Sequence, residues 1–147
     1  MSTRHGVYVA AGSHEIERAS AWVSRLRAKG IHVTSTWIDT VKAVGDANPR
    51  DASDEQKQAW CLKDVREALS SQVFWLLMPT TNSFGATFEY AFFVALSPDE
   101  DRYKHVVSGD YKRSIFTSFS TCFESDEEAF VAICVLLGAT VANDDAR

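Results

Sequence analysis

Residues 73–89 read VFWLLMPTTNSFGATFE, and this stretch decides the fold. Val73–Leu77 is wholly apolar, and the run Gln72–Met78 around it is nearly so. An unbroken apolar run of this length predicts a strand buried on both faces, the habit of a central strand in a parallel sheet. Pro79 stops it, and a polar loop with Ser83 and Gly85 leads into a helix that carries Glu89. A helix that begins over the carboxyl end of a parallel strand is where open α/β sheets bind ligands. The free N–H groups of its first turn suit an anion. A carboxylate one turn further in reaches whatever binds there.

On the N-terminal side, Val7–Ala11 (VYVAA) reads as a second buried strand ending at Gly12. Ser13 stands where a helix cap belongs, and Ile16, Ala19, Val23 and Leu26 recur at helical spacing as far as Lys29. Gly30 supplies the stop. Ile31–Ile38 reads as a β-branched strand ending near Trp37 and Asp39. Thr40–Ala52, interrupted by Gly45 and Pro49, reads as a long connection of the kind that forms lids and binding loops. Ser53 and Gln56 match a capping box, which opens a helix to about Ser70 with Ala59, Leu62, Val65 and Leu69 inward.

On the C-terminal side, Gly85–Leu96 is expected as a helix with the apolar stripe Phe88, Phe92, Ala95 and Leu96. Ser97–Arg102 reads as a turn, His105–Val107 as a weak strand within Tyr103–Ser108, and Ser114–Phe119 as another strand. Ser125 and Glu128 form a second capping box before a last helix to Leu137. Residues 139–147 read as a tail, frayed from Asn143 onward.

Strands alternating with helices define an α/β fold. The expected architecture is a three-layer sandwich around a mostly parallel five-stranded sheet in the flavodoxin-like order 2-1-3-4-5. All 147 residues are expected to form one domain. An apolar content of 46% and a charged content of 24% fit a soluble globular chain. A net charge of −5 argues against binding a nucleic-acid polymer. Cys61, Cys122 and Cys134 have no metal-ligand spacing and pack as small hydrophobes. No signal peptide is read in Met1–His5, and no apolar run reaches the length of a membrane span, so the expected location is the cytoplasm.

Several residues invite a chemical reading. Glu89, six residues after Ser83, fits a nucleophile toward an electrophilic sugar carbon, or an ordinary helix-start glutamate favoured by the macrodipole. Asp64, among Trp60, Cys61 and Val65, fits an acid/base partner, or a solvated helical aspartate. Tyr8 could orient a carboxylate or simply pack. Ser83 and Gly85 fit either a phosphate or hydroxyl site or a plain helix cap. Trp37 could stack on a base or fill the core, and Gly12 and Ser13 lie where the first strand opens onto the same edge.

Together these residues resemble the nucleoside 2-deoxyribosyltransferase superfamily, which includes nucleotide N-glycosidases. The resemblance rests on VYVAAG (Val7–Gly12), on KDVREALSSQVFWLL with Asp64, on SFGATFE (Ser83–Glu89), and on the following YAFFVA. It is densest over Val7–Gly12 and Trp60–Ala95, and Asp64 precedes Glu89 by 25 residues. It implies that Glu89 attacks C1′ of a 2-deoxyribosyl group, that Asp64 acts on the base as acid/base, and that Tyr8 orients Glu89. Ser83 would contact the 5′ end of the sugar or its phosphate. No metal and no organic cofactor is implied. The implied ligand is a small nucleoside or nucleotide. Relatives build sites across subunits, so a homodimer or larger homo-oligomer is expected. The aromatic run Phe84–Phe93 points the same way, because Phe84, Tyr90, Phe92 and Phe93 cannot all face one core.

Overall fold

The computed structural model describes residues 4–45, 51–97, 101 and 104–140. Four strands form one parallel sheet in the order β1 (Val7–Ala10), β2 (Val73–Leu77), β3 (His105–Ser108), β4 (Thr121–Phe123). Five helices cover it: α1 (Ile16–Ala28), α2 (Trp37–Val44), α3 (Asp54–Ser70), α4 (Phe84–Ala95) and α5 (Asp126–Leu136). The expected tail from residue 141 onward, the middle of the 40–52 connection, and residues 98–100, 102 and 103 of the expected turn and weak strand lie outside the described residues.

Val73–Leu77 is the central strand that its apolar run predicts. Every residue of β2 is buried, and the strand pairs in parallel with β1 on one side and β3 on the other. The register sets Tyr8 against Phe74 and Phe74 against His105. The Tyr8 and Phe74 rings stack at 5.3 Å, and Phe93 of α4 packs on Phe74 at 5.1 Å. Burying each such ring contributes about 1.5–3 kcal/mol by area removed from water. Gly30 takes φ 74° and ends α1, with Ile31 N–H bonded back to the Leu26 carbonyl.

The five-stranded flavodoxin-like order is not confirmed, because the described residues form a sheet of four strands. Ile31–Ile38 meets the sheet at a single parallel bridge, Val33 to Val7, and α2 begins at Trp37. The physical reason lies on the free edge of β1. His32 and Thr34 serve the backbone of Val7, but at Val9 side chains take over: the N–H donates to Ser35 Oγ at 3.1 Å and the carbonyl accepts from Trp37 Nε1 at 2.7 Å. The edge is satisfied without a second strand, and the chain is released to coil.

Three further expectations are corrected. Ile115–Phe119 is a 3₁₀ helix rather than a strand, and the fourth strand is Thr121–Phe123. Ser13 makes no capping bond and belongs to a 3₁₀ turn, Ser13–Glu15, ahead of α1. The inward faces of two helices are rotated. Helix α4 buries Ala86, Tyr90 and Phe93 and exposes Phe88, Phe92 and Leu96, while α3 buries Ala68 and exposes Ala59 and Leu62. Ser125 with Glu128 makes the complete reciprocal box expected of them, whereas at Ser53 one half of the box is seen, Ser53 Oγ accepting from Gln56 N–H.

Candidate functional site

Loops leave β1 and β2 at the carboxyl edge of the sheet, and Tyr8, Asp64 and Glu89 lie on β1, α3 and α4. Strand β1 carries Tyr8, α3 carries Asp64 and packs against α4, and α4 packs on β1 and β2 with Glu89 in its second turn. Tyr8 is wholly buried, whereas Asp64 and Glu89 are partly buried. The three interact electrostatically although they are far apart in sequence. Burial, then the charge of Asp64, raises the Glu89 carboxyl to about 8, despite the opposing pull of the Tyr8 hydroxyl. Burial and then the charge of Glu67 raise Asp64 to about 6, with Lys63 working against them. Burial, Glu89 and Asp64 all push the Tyr8 phenol well above its ordinary value.

Tyr8 has a further property. Its hydroxyl is buried and has no hydrogen-bond partner in ordinary geometry among the described residues. Glu89 is near enough to act on it, yet the approach is looser than a formed hydrogen bond. A buried hydroxyl left without a partner costs about 1–3 kcal/mol. Such a group suits a site whose geometry tightens when something binds.

Glu67 was not singled out in the sequence. It lies one turn beyond Asp64 on α3 and accepts from Thr36 N–H at 2.8 Å and Thr36 Oγ1 at 2.6 Å. It therefore ties α3 to the start of α2 while adding negative charge beside Asp64, Glu89 and Tyr8. Its spacing from Asp64 was visible, but its anchor at Thr36 is 31 residues away and was not.

The other candidates are placed as follows. Ser83 occupies the position before α4 without capping it; its carbonyl, not its hydroxyl, accepts from Thr87. Gly85 faces open space, where a Cβ would meet nothing. Gly12 is buried, and a Cβ there would run into the His14 ring. Ser13 is exposed beside it. Trp37 is buried, with its indole committed to the Val9 carbonyl, so it lies in the core beside the site and has no open ring face.

Loops after β1 and β2 are clamped together on this edge. His14 Nε2 and Thr81 Oγ1 are 2.7 Å apart, and Glu15 accepts from Thr80 N–H and from Arg18. Arg18 also makes a two-pronged contact with Asp126 and donates to the Met78 carbonyl. Burial alone would raise Asp126, but hydrogen bonds from Arg18, Ser108 and Trp22 hold its carboxyl below the ordinary range. Arg18 is thus consumed by the scaffold. Among the described residues no cluster of His, Cys, Asp and Glu has the arrangement of a metal site, and no helix is long and apolar enough to cross a membrane. Comparison of the chain with protein-family models, curated proteins and solved structures finds no match.

Proposed function

We propose that the protein cleaves the N-glycosidic bond of a 2′-deoxynucleoside or its 5′-monophosphate, passing the sugar to another nucleobase or to water. The observation that carries this reading is the mutual electrostatic influence of Tyr8, Asp64 and Glu89, three residues far apart in sequence, with both carboxyls raised in proton affinity. A pair of carboxyls whose environments differ is the equipment of a retaining glycosyl transfer. Glu89 attacks C1′ and forms a glycosyl ester as the bond to the base breaks, and Asp64 gives the departing base a proton. Water or a second base then attacks C1′, Glu89 leaves, and Asp64 recovers a proton. Tyr8 steadies the ionised Glu89, and Ser83 with the open N–H groups at the start of α4 meets the 5′ end of the sugar. Neither a metal nor an organic cofactor enters the scheme. The cytoplasm suits a substrate of this class.

A second reading has its own support. With Glu89 raised to about 8, the unliganded site holds a proton on the intended nucleophile near neutral pH. A neutral carboxyl binds a base by hydrogen bonds without attacking its sugar, as a nucleotide-binding or sensor domain would.

Chromatography of deoxynucleosides and deoxynucleotides incubated with the protein, with and without an acceptor base, separates the two. Free base without acceptor means hydrolysis, acceptor dependence means transfer, and intact substrate in every case favours the sensor. Glu89→Gln is expected to abolish turnover, and Asp64→Asn to slow it by about 10²–10⁴-fold. Intact-protein mass spectrometry with a 2′-fluoro-2′-deoxynucleoside tests for the ester on Glu89.

A further inference from the structure

A cavity of about 540 Å³ lies along the flank of α4 that faces away from Glu89. Thr87, Ala91 and Val94 line it, and they stand about 140–200° around the helix from Glu89. Tyr8, Asp64 and Glu89 do not line it, so it is separate from the carboxylate cluster. Its volume falls in the range of small-molecule pockets, about 300–1,000 Å³. Leu76, Val94, Phe116 and Phe119 give it largely apolar walls.

The charge at its rim is selective. The chain carries a net charge of −5, yet among the described residues no acidic side chain lines the cavity, and the one charged lining residue is Arg113. The guanidinium is already oriented: Nη1 donates to the Pro79 carbonyl at 2.9 Å and to the Thr80 carbonyl at 3.1 Å. Nε lies 3.9 Å from Asp110, a contact too long and too exposed to neutralise it. No acceptor among the described residues meets Nη2. Asn82 is a lining residue whose side-chain amide makes no hydrogen bond among the described residues.

We propose that this cavity is a second ligand site, for a small amphipathic anion with an apolar body and a single carboxylate. The carboxylate pairs with Arg113, with Asn82 as a neutral donor beside it, and the body lies against Val94 and Phe116. One guanidinium, with no second cation among the described lining residues, suits a monoanion better than a doubly charged phosphate. A preorientated arginine loses little freedom on pairing.

Calorimetry with octanoate and with octan-1-ol tests the assignment. The wild-type protein is expected to bind octanoate saturably at one site. Arg113→Gln is expected to weaken octanoate about tenfold or more while leaving octan-1-ol unchanged. Ala91→Trp, at an exposed helix position, fills the cavity and is expected to block both. Absence of saturable octanoate binding, equal octanoate affinity in Arg113→Gln, or wild-type binding by Ala91→Trp each overturns the proposal. So does light scattering that shows a wild-type dimer converted to a monomer by Ala91→Trp, since the cavity then belongs to a contact between copies. None of these readouts depends on turnover of a nucleoside.

Discussion

Thr36 donates two hydrogen bonds to Glu67, from its backbone N–H at 2.8 Å and its hydroxyl at 2.6 Å, and fixes that carboxylate one helical turn from Asp64. After burial, Glu67 is the largest influence raising Asp64, and it also raises Glu89 and Tyr8. Lys63, 3.9 Å from Glu67, offsets part of this charge. Glu67→Gln keeps the size and an acceptor for Thr36 but removes the charge. Asp64 and Glu89 are then expected to titrate at lower pH. Carboxyl chemical shifts followed through a pH titration measure this directly. Unchanged midpoints would mean that solvent screens Glu67.

The values of about 8 for Glu89 and about 6 for Asp64 arise first from burial and next from neighbouring carboxylates. Interacting carboxyls titrate as a pair, so between these values the pair holds one proton. Glycosyl transfer by this pair needs one carboxyl ionised and the other protonated. A bell-shaped profile of kcat/KM is therefore expected, with limbs near 6 and 8. That proton belongs to the pair, and attack by Glu89 requires it on Asp64. A rate that climbs steadily across both values excludes the shared-proton scheme.

The same shift bears on stability. Glu89 has a higher proton affinity folded than unfolded, so the folded state binds the extra proton between 4.5 and about 8. Stability from this group is fully present below 4.5 and declines as pH rises through about 8. Glu89→Gln cannot ionise. Its unfolding free energy is expected to lose much of the decline, a difference on the order of a few kcal/mol at the alkaline end. Urea unfolding of both proteins across this window checks it. Parallel curves would show that Glu89 is effectively solvated.

The sequence made the central strand legible because five apolar residues in a row leave no other burial pattern for β2. That Asp64 and Glu89 lie on the two helices flanking that strand in the chain was legible from the helical patterns on either side of it. The second strand was misread because Ile31–Ile38 is β-branched, and local propensity says nothing of Ser35 and Trp37 closing the edge of β1 across 26 and 28 residues. The faces of α3 and α4 were misread for a different reason. Phe84–Ala95 is apolar nearly all round, so periodicity there has little contrast, and Tyr90 and Phe93 went inward because Phe74 offered them aromatic contacts. Arg18 and Asp126 are 108 residues apart, a pairing that no local pattern announces.

Trp37 offers a clean test of core against ligand contact. Its indole N–H is the donor to the buried Val9 carbonyl at 2.7 Å, one residue before the end of β1. Trp37→Phe keeps a ring but leaves that carbonyl without its donor. A loss of about 1–3 kcal/mol in unfolding free energy is expected, with KM for any substrate little changed. A large rise in KM with unchanged stability would instead make Trp37 a stacking platform for the base.

Phe84, Phe88, Phe92 and Leu96 form an exposed ridge four residues apart along α4, each more than half accessible, and Leu62 of the neighbouring α3 is 47% exposed. Each step of four turns the ridge by only about 40°, so the residues make one continuous strip. Strips of this kind on a lone soluble chain are unusual, because each ring in water forgoes about 1.5–3 kcal/mol of burial. A second copy packed on α4 and α3 accounts for them, and a helix pair repeated about a two-fold axis is the simplest closed arrangement. The protein is therefore expected to be a homodimer at micromolar concentration by light scattering. Phe88→Glu places a charge in the middle of the strip and is expected to yield a monomer. Because Phe88 takes no part in the core of the single chain, that monomer should remain folded by circular dichroism. The ridge lies on the same helix as Glu89, so loss of the dimer is also expected to reduce turnover. A wild-type monomer, or a Phe88→Glu protein that remains dimeric, would remove the ridge as the contact.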